Sequence, residues 1–216
     1  MIDCHFHLRT DDVSTPAKRA ERAEQVRTEA DRLGFERVCL MGEIEETLDE
    51  CHAANRVVAK FQEEHPDLFF GWARVHPPLD GAAAEFRRAV EDDGLIGLKH
   101  HFTGVSDPVN ITDPAFEPLA EAAADMDVPI IAHVMERHPD DMERWSEKET
   151  YAADVAAFAE RFPDVTLISA HIGAGGFWEQ RIKTIHDYEI VYLDTSGSNT
   201  ETDTLEMAAE YLGIER

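Results

Sequence analysis

Basic residues are scarce in this chain: 20 lysines and arginines stand against 45 aspartates and glutamates, a formal net charge of −25. Lysine occurs only at positions 18, 60, 99, 148 and 183. So acidic a surface repels other polyanions, which argues against nucleic acid and anionic membranes as partners. The acid is spread over helix faces instead of being gathered in a tail. This halophilic composition is expected of adaptation to high salt, where screening removes most of the self-repulsion. Cysteine is scarce too. Cys4, Cys39 and Cys51 are odd in number and lack CxxC spacing, so free thiols in a reducing compartment are expected, with Cys4 and Cys39 at buried strand positions. No basic-then-apolar leader precedes the first strand and no apolar run is long enough to span a bilayer, so the expected location is cytoplasmic. Linkers, low-complexity tracts and short-period repeats are also missing. What remains is 216 residues, 43% hydrophobic, enough for one domain over 1–216 with a sizeable core.

Strands and helices alternate along it. Strands are expected over 2–8, 37–41, 68–75, 95–99, 128–133, 165–171 and 190–195. Helices are expected over 16–33, 47–64, 82–91, 114–126, 148–162, 178–186 and 202–212, opened by Pro16 and Pro114 and closed early on by Gly34. Runs such as Val128-Pro-Ile-Ile-Ala-His133 are apolar throughout, which means a parallel sheet covered on both faces. A closed (β/α)8 TIM barrel and an open doubly wound sheet both fit that alternation. The strand ends decide, because they read His5/His7, His76, Lys99/His100/His101, His133, His171 and Asp194. A barrel brings such ends to one rim; an open sheet strings them out in a row. The expected fold class is therefore α/β of the (β/α)8 TIM-barrel type, with seven βα units visible.

The first strand is the focus. Side chains alternate along a strand, so His5 and His7 point the same way, about 7 Å apart, with Asp3 on that face one step deeper. Two imidazoles on one face can grip a divalent ion. His133, ending the fifth strand, supplies a third. Three protein ligands and a water make a catalytic zinc-type site with an open position. A lone strand-end histidine is usually a satisfied polar cap, so it is the set that argues for metal. The rim also carries Arg9, His76, His101, Arg137, His138 and Trp178. Arg9 or Arg137 suits a substrate carboxylate in fork geometry, although most loop arginines are merely solvated. His52, His65 and His186 are expected on the surface, Met41 and Met135 in packing.

Asp3-x-His5-x-His7, Gly97-x-Lys99, Ala132-His133 and Ala170-His171-x-Gly173, at successive strand ends, resemble the amidohydrolase superfamily. The nearest likeness is to its amidohydrolase-2 (decarboxylase-like) branch of metal-dependent TIM-barrel hydrolases, over the whole chain. The resemblance implies His5, His7 and His133 as ligands of one divalent ion, zinc with manganese or iron as alternatives. It implies His171 as a catalytic histidine beside the ion, or a ligand in a binuclear site. Lys99 is implied as an unmodified lysine facing substrate; a carbamylated Lys99 bridging a second metal is the alternative. A small-molecule substrate is implied, met by Arg9, His76, His101, Arg137, Trp178 and Asp194, with homo-oligomerisation open. The expected reaction is hydrolysis of an amide, ester or lactone, or decarboxylation of a small organic acid.

The family's last ligand is an aspartate ending an eighth strand. The helix ending Tyr211-Leu212-Gly213 lies where that strand should begin, and such barrels take about 250 residues. The expectation is a chain short of its eighth strand, through truncation or loss of a ligand, with Asp194 as a partial substitute. TatD-like nucleases and PHP-type phosphoesterases also open with HxH, but the former place glutamate where Lys99 stands. A non-catalytic metal-binding barrel is the alternative from another class. A dinucleotide reading of Gly173-Ala174-Gly175-Gly176 fails, since GxGxxG needs glycine at Trp178.

Overall fold

The computed structural model describes residues 1–9, 13–43, 45–101, 105–135, 148–172, 177–197 and 203–216. The chain divides into two compact units, residues 1–99 with 104–106, and residues 100–103 with 107–216.

The first unit runs β1 (Ile2–His7), α1 (Pro16–Leu33), β2 (Arg37–Met41), α2 (Leu48–Glu64), β3 (Phe69–Trp72) and α3 (Ala82–Glu91), then enters β4 (Leu98–His100). Helix α1 starts where the Thr15 hydroxyl accepts from the Lys18 N–H and stops at Gly34, whose φ of 77° only glycine adopts cheaply. Helix α2 opens on a reciprocal capping box between Thr47 and Glu50. The sheet is parallel, in the order β1-β2-β3, and Ala73 bridges in parallel to Leu98. Its core is Leu40, Met41, Val58, Phe61, Phe69, Trp72 and Phe86, all buried. Gly71 is glycine for a steric reason: a Cβ there would lie 2.5 Å from Val58 Cγ1 and 2.6 Å from Leu95 Cδ2.

The second unit takes His100 from β4. It continues with a 3₁₀ turn (Pro114–Phe116), α4 (Glu117–Met126), β5 (Ile130–His133), α5 (Ala152–Arg161), β6 (Leu167–Ala170), α6 (Trp178–Ile185), β7 (Val191–Leu193) and α7 (Thr204–Leu212). Its strands β5, β6 and β7 are neighbours in that order, parallel and in register with His133 opposite Ala170. Ile172, Trp178 and Ile182 form a buried cluster against Leu193, Met207, Ala208 and Leu212.

The alternation is the expected one, but the strands are shorter, and the reasons are local. Strand β3 ends at Trp72 instead of Val75 because the Arg74 N–H leaves the sheet to donate to Asn55 Oδ1 at 2.8 Å. Helix α5 starts at Ala152 instead of Lys148, because the Tyr151 N–H is capped by Asp154 Oδ2 at 2.9 Å. Cys39 and Cys51 are buried and Cys4 is half-buried. Burial pushes the Cys39 thiol up to about 12, so it is inert at neutral pH. No helix among the described residues is long and apolar enough to cross a membrane.

Candidate functional site

Strand β1 is not a regular strand. Its register with β2 runs Asp3↔Val38 and then Phe6↔Leu40, so one additional residue is accommodated between them. Asp3 Oδ1 accepts from the His5 N–H at 3.0 Å, closing a small turn inside the strand. The bulge resets the alternation. Asp3 and Phe6 line one cavity of about 280 Å³ with Val26 and Ala30 of α1, while His5 and His7 turn to each other. The expectation that Asp3 shares their face is therefore corrected: plain alternation fails across a bulge. Beyond it the pair does converge. His5 Nε2 and His7 Nε2 lie 3.2 Å apart, with ring centroids at 5.2 Å.

Lys99 joins that pair. It is fully buried, and its Nζ lies 3.0 Å from His5 Nε2. The first unit thus gathers His5, His7 and Lys99. Arg9, just past the strand, is exposed, and His76, beyond the end of β3, is buried.

The second unit builds its cluster differently. His133 ends β5, and His171 stands one residue past β6 in the left-handed conformation, φ 63°. That conformation is costly for any residue with a Cβ, on the order of 1–2 kcal/mol, and Asp194 supports it. Asp194, buried just after β7, accepts at Oδ1 from the His171 N–H at 2.8 Å, the Ser196 N–H at 3.0 Å and the Ser196 hydroxyl at 2.6 Å. Ser196 Oγ lies 2.9 Å from His171 Nδ1, and His171 Nε2 lies 2.9 Å from His133 Nδ1. A Cβ on Gly197, itself at φ 108°, would press on His171 Nδ1 at 3.3 Å.

Hydrogen-bond accounting assigns the protons along this chain. A carboxylate only accepts, so Ser196 gives its proton to Asp194 and its oxygen must accept from His171 Nδ1–H. His171 Nε2 is then the acceptor for His133 Nδ1–H. That leaves the lone pair of His133 on Nε2, the state a metal-ligating imidazole needs. The His101 ring packs edge-on against His133, with centroids 4.1 Å apart.

Of the expected site residues, the structure brings together His5, His7 and Lys99 in one unit, and His133, His171, Asp194 and His101 in the other. Asp194 serves the histidines as an acceptor. Trp178 is not on a loop: it opens α6 and is buried in the Ile172–Ile182 cluster, because an indole at that helix position completes the apolar face. Arg137, His138 and Gly173 to Gly176 lie outside the described residues. Ser196 is the residue that sequence reading missed. Its signal was the turn sequence Asp194-Thr-Ser-Gly197, which suits an Asx-type turn.

Parallel βα units with polar residues at their carboxyl ends are the architecture of TIM-barrel enzymes. The chain belongs to the amidohydrolase family, amidohydrolase-2 branch, whose sequence signature matches residues 2–214. Solved structures similar to it include a Staphylococcus aureus protein assigned as an amidohydrolase, at 18% identity and a TM-score of 0.70, covering 100% of this chain and 85% of that one. Another is 4-oxalomesaconate hydratase from Rhodopseudomonas palustris, at 14% identity and a TM-score of 0.69, covering 97% and 78%. A third is 5-carboxyvanillate decarboxylase from Novosphingobium aromaticivorans with bound manganese, at 18% identity and a TM-score of 0.60, covering 92% and 72%. No curated protein matches the chain by sequence. The fold is accordingly α/β of the TIM-barrel type, with seven βα units among the described residues, and the family and these neighbours are enzymes of the amidohydrolase superfamily.

Proposed function

We propose that this chain is a metal-dependent enzyme that hydrolyses an amide, ester or lactone bond, or decarboxylates a small organic acid, at one divalent ion held by His5, His7 and His133. The observation that carries this reading is the convergence of His5 Nε2 and His7 Nε2 at 3.2 Å. Two nitrogens bound tetrahedrally to one zinc ion at 2.0–2.1 Å lie about 3.3 Å apart, so the donor set fits such an ion. Imidazole ligands suit zinc, and manganese is bound in the decarboxylase structure.

When bound, a divalent cation supplies Lewis acidity toward a carbonyl and makes a water more acidic. The chain's own groups supply the rest. Lys99, unmodified, offers an N–H donor beside His5 for a developing oxyanion. His171, held at Nδ1 by Ser196 and at its backbone by Asp194, has at Nε2, where it accepts from His133 Nδ1–H, the atom that can take or give a proton. Arg9, His76, His101 and Asp194 are proposed to meet a small substrate in a cytoplasmic enzyme, a role also assigned to Arg137.

Elemental analysis of the purified full-length chain tests the reading, combined with a panel of amides, lactones and aromatic or vinylic acids. About one zinc or manganese per chain is expected, with turnover of at least one substrate class. His7→Ala should lose nearly all the metal and stay folded. A folded wild-type chain that takes up no divalent ion, or full occupancy in His7→Ala, overturns it.

A further inference from the structure

A fully buried arginine lies behind the second unit's histidines. Arg181 sits on the inner face of α6 between Trp178 and Ile182, a position where an apolar side chain would fill the space without the cost of burying a cation. Its two terminal nitrogens donate to backbone carbonyls. Nη1 donates to Ala170 O at 3.1 Å and to His171 O, and Nη2 donates to Val134 O at 3.0 Å. These acceptors are the ends of two neighbouring strands: Val134 follows His133, and Ala170 precedes His171. A planar guanidinium with a fixed fork of donors is the side chain that can span both ends at once.

We propose that Arg181 is a positioning residue that acts through His171. His171 is left-handed, and that conformation turns its N–H toward Asp194 and its carbonyl toward Arg181. The carbonyl bond holds the peptide after His171 from the side opposite to Asp194. The third bond, to Val134 O, sets the spacing between the β5 and β6 ends and so the 2.9 Å approach of His171 Nε2 to His133 Nδ1. Without the guanidinium the two strand ends are free to separate and His171 to relax to an ordinary φ. The imidazole chain from Asp194 to His133 then breaks. The consequence for catalysis rests on the function proposed above, but the geometric claim does not.

The test uses the full-length chain with Arg181→Met, Arg181→Lys and the control Ile182→Val, which perturbs the same helix face without touching the carbonyls. Nitrogen-15 NMR of the imidazoles reads the Nδ1–H protons of His133 and His171 directly, with or without metal. In the wild type these protons should be downfield and slow to exchange. Arg181→Met should lose them. Arg181→Lys, one ammonium for three carbonyls, should exchange them at least about tenfold faster, and Ile182→Val should leave them as they are. Manganese affinity, by chelator competition, should fall 10- to 100-fold in Arg181→Met, as for other changes to groups that orient metal ligands. Unchanged imidazole protons in Arg181→Lys, or equal loss in Ile182→Val, would overturn the proposal. So would wild-type manganese affinity in a folded Arg181→Met chain. A wild-type chain that binds no metal defeats the function proposed above and leaves the NMR arm to judge Arg181 alone; should Arg181→Met not fold, Arg181→Lys and the control decide.

Discussion

The two units set their histidines in place by opposite means. In the first, both imidazoles come from one strand, and their convergence needs only the strand period and one bulge closed by Asp3. In the second, the imidazoles come from neighbouring strands, and their approach needs a left-handed residue, a buried carboxylate, a serine and a buried arginine. Local geometry suffices where the imidazoles are two residues apart. Where they are 38 apart, supporting side chains must supply what the backbone does not. The first unit does spend buried polar groups, but on its frame. Asn55 ties the Arg74 backbone to Glu85, and Arg74 reaches Gly42 O at 2.7 Å, with its guanidinium pushed down to about 10 by burial.

Asp194→Ala is expected to destabilise the fold most. It leaves the His171 N–H, the Ser196 N–H and the Ser196 hydroxyl without their acceptor, which should cost about 3 kcal/mol. Urea denaturation measures it. Asp194→Asn keeps the acceptor oxygen and should cost about 1 kcal/mol. Equal losses in the two variants would mean that the charge, and not the acceptor, matters there.

Glu85 tests the frame of the first unit. Burial raises its carboxyl pKa, but hydrogen bonds from Arg88, Asn55 and His52 outweigh that and hold it below the ordinary carboxylate value. A depressed value means stability that is present above the ordinary carboxylate range and lost as pH falls through the lowered one. Glu85→Gln should therefore cost about 2 kcal/mol at neutral pH, and the acid limb of its stability curve should be shallower than that of the wild type. An unchanged acid limb would remove Glu85 from the frame.

How much of this was legible depends on the same contrast. His5, His7, Lys99, His133 and His171 announce themselves because each is a polar residue closing an apolar run, and the parallel alternation places such residues at strand ends. Arg181 carried a fainter signal, a cation at helical spacing between Trp178, Ile182 and Ile185. The bulge carried none, since a one-residue insertion leaves the Asp-x-His-x-His spacing unaltered while turning Asp3 away. Strand and helix bounds differ from the periodicity because side chains capture backbone donors, Asn55 at the end of β3 and Asp154 at the start of α5, which periodicity does not register.

Salt should act on both units alike. Screening of a net charge of −25 ought to raise the thermal midpoint by several degrees between dilute buffer and molar sodium chloride. A midpoint independent of salt would mean that the acidic surface is not under repulsive load.

Asp3 carries the smallest predicted effect and separates the two readings of β1 most cleanly. Removing its carboxylate deletes one hydrogen bond, to the His5 N–H, so Asp3→Ala should cost about 1 kcal/mol. With Asp3 turned to the α1 side, the variant should keep its metal near the wild-type level, whereas His7→Ala should not. Strict alternation would instead put Asp3 on the imidazole face as a ligand or its neighbour, and Asp3→Ala would then empty the site as His7→Ala does. Elemental analysis of the two variants side by side decides. Comparable metal loss in both would return Asp3 to the His5 face and erase the bulged reading of β1.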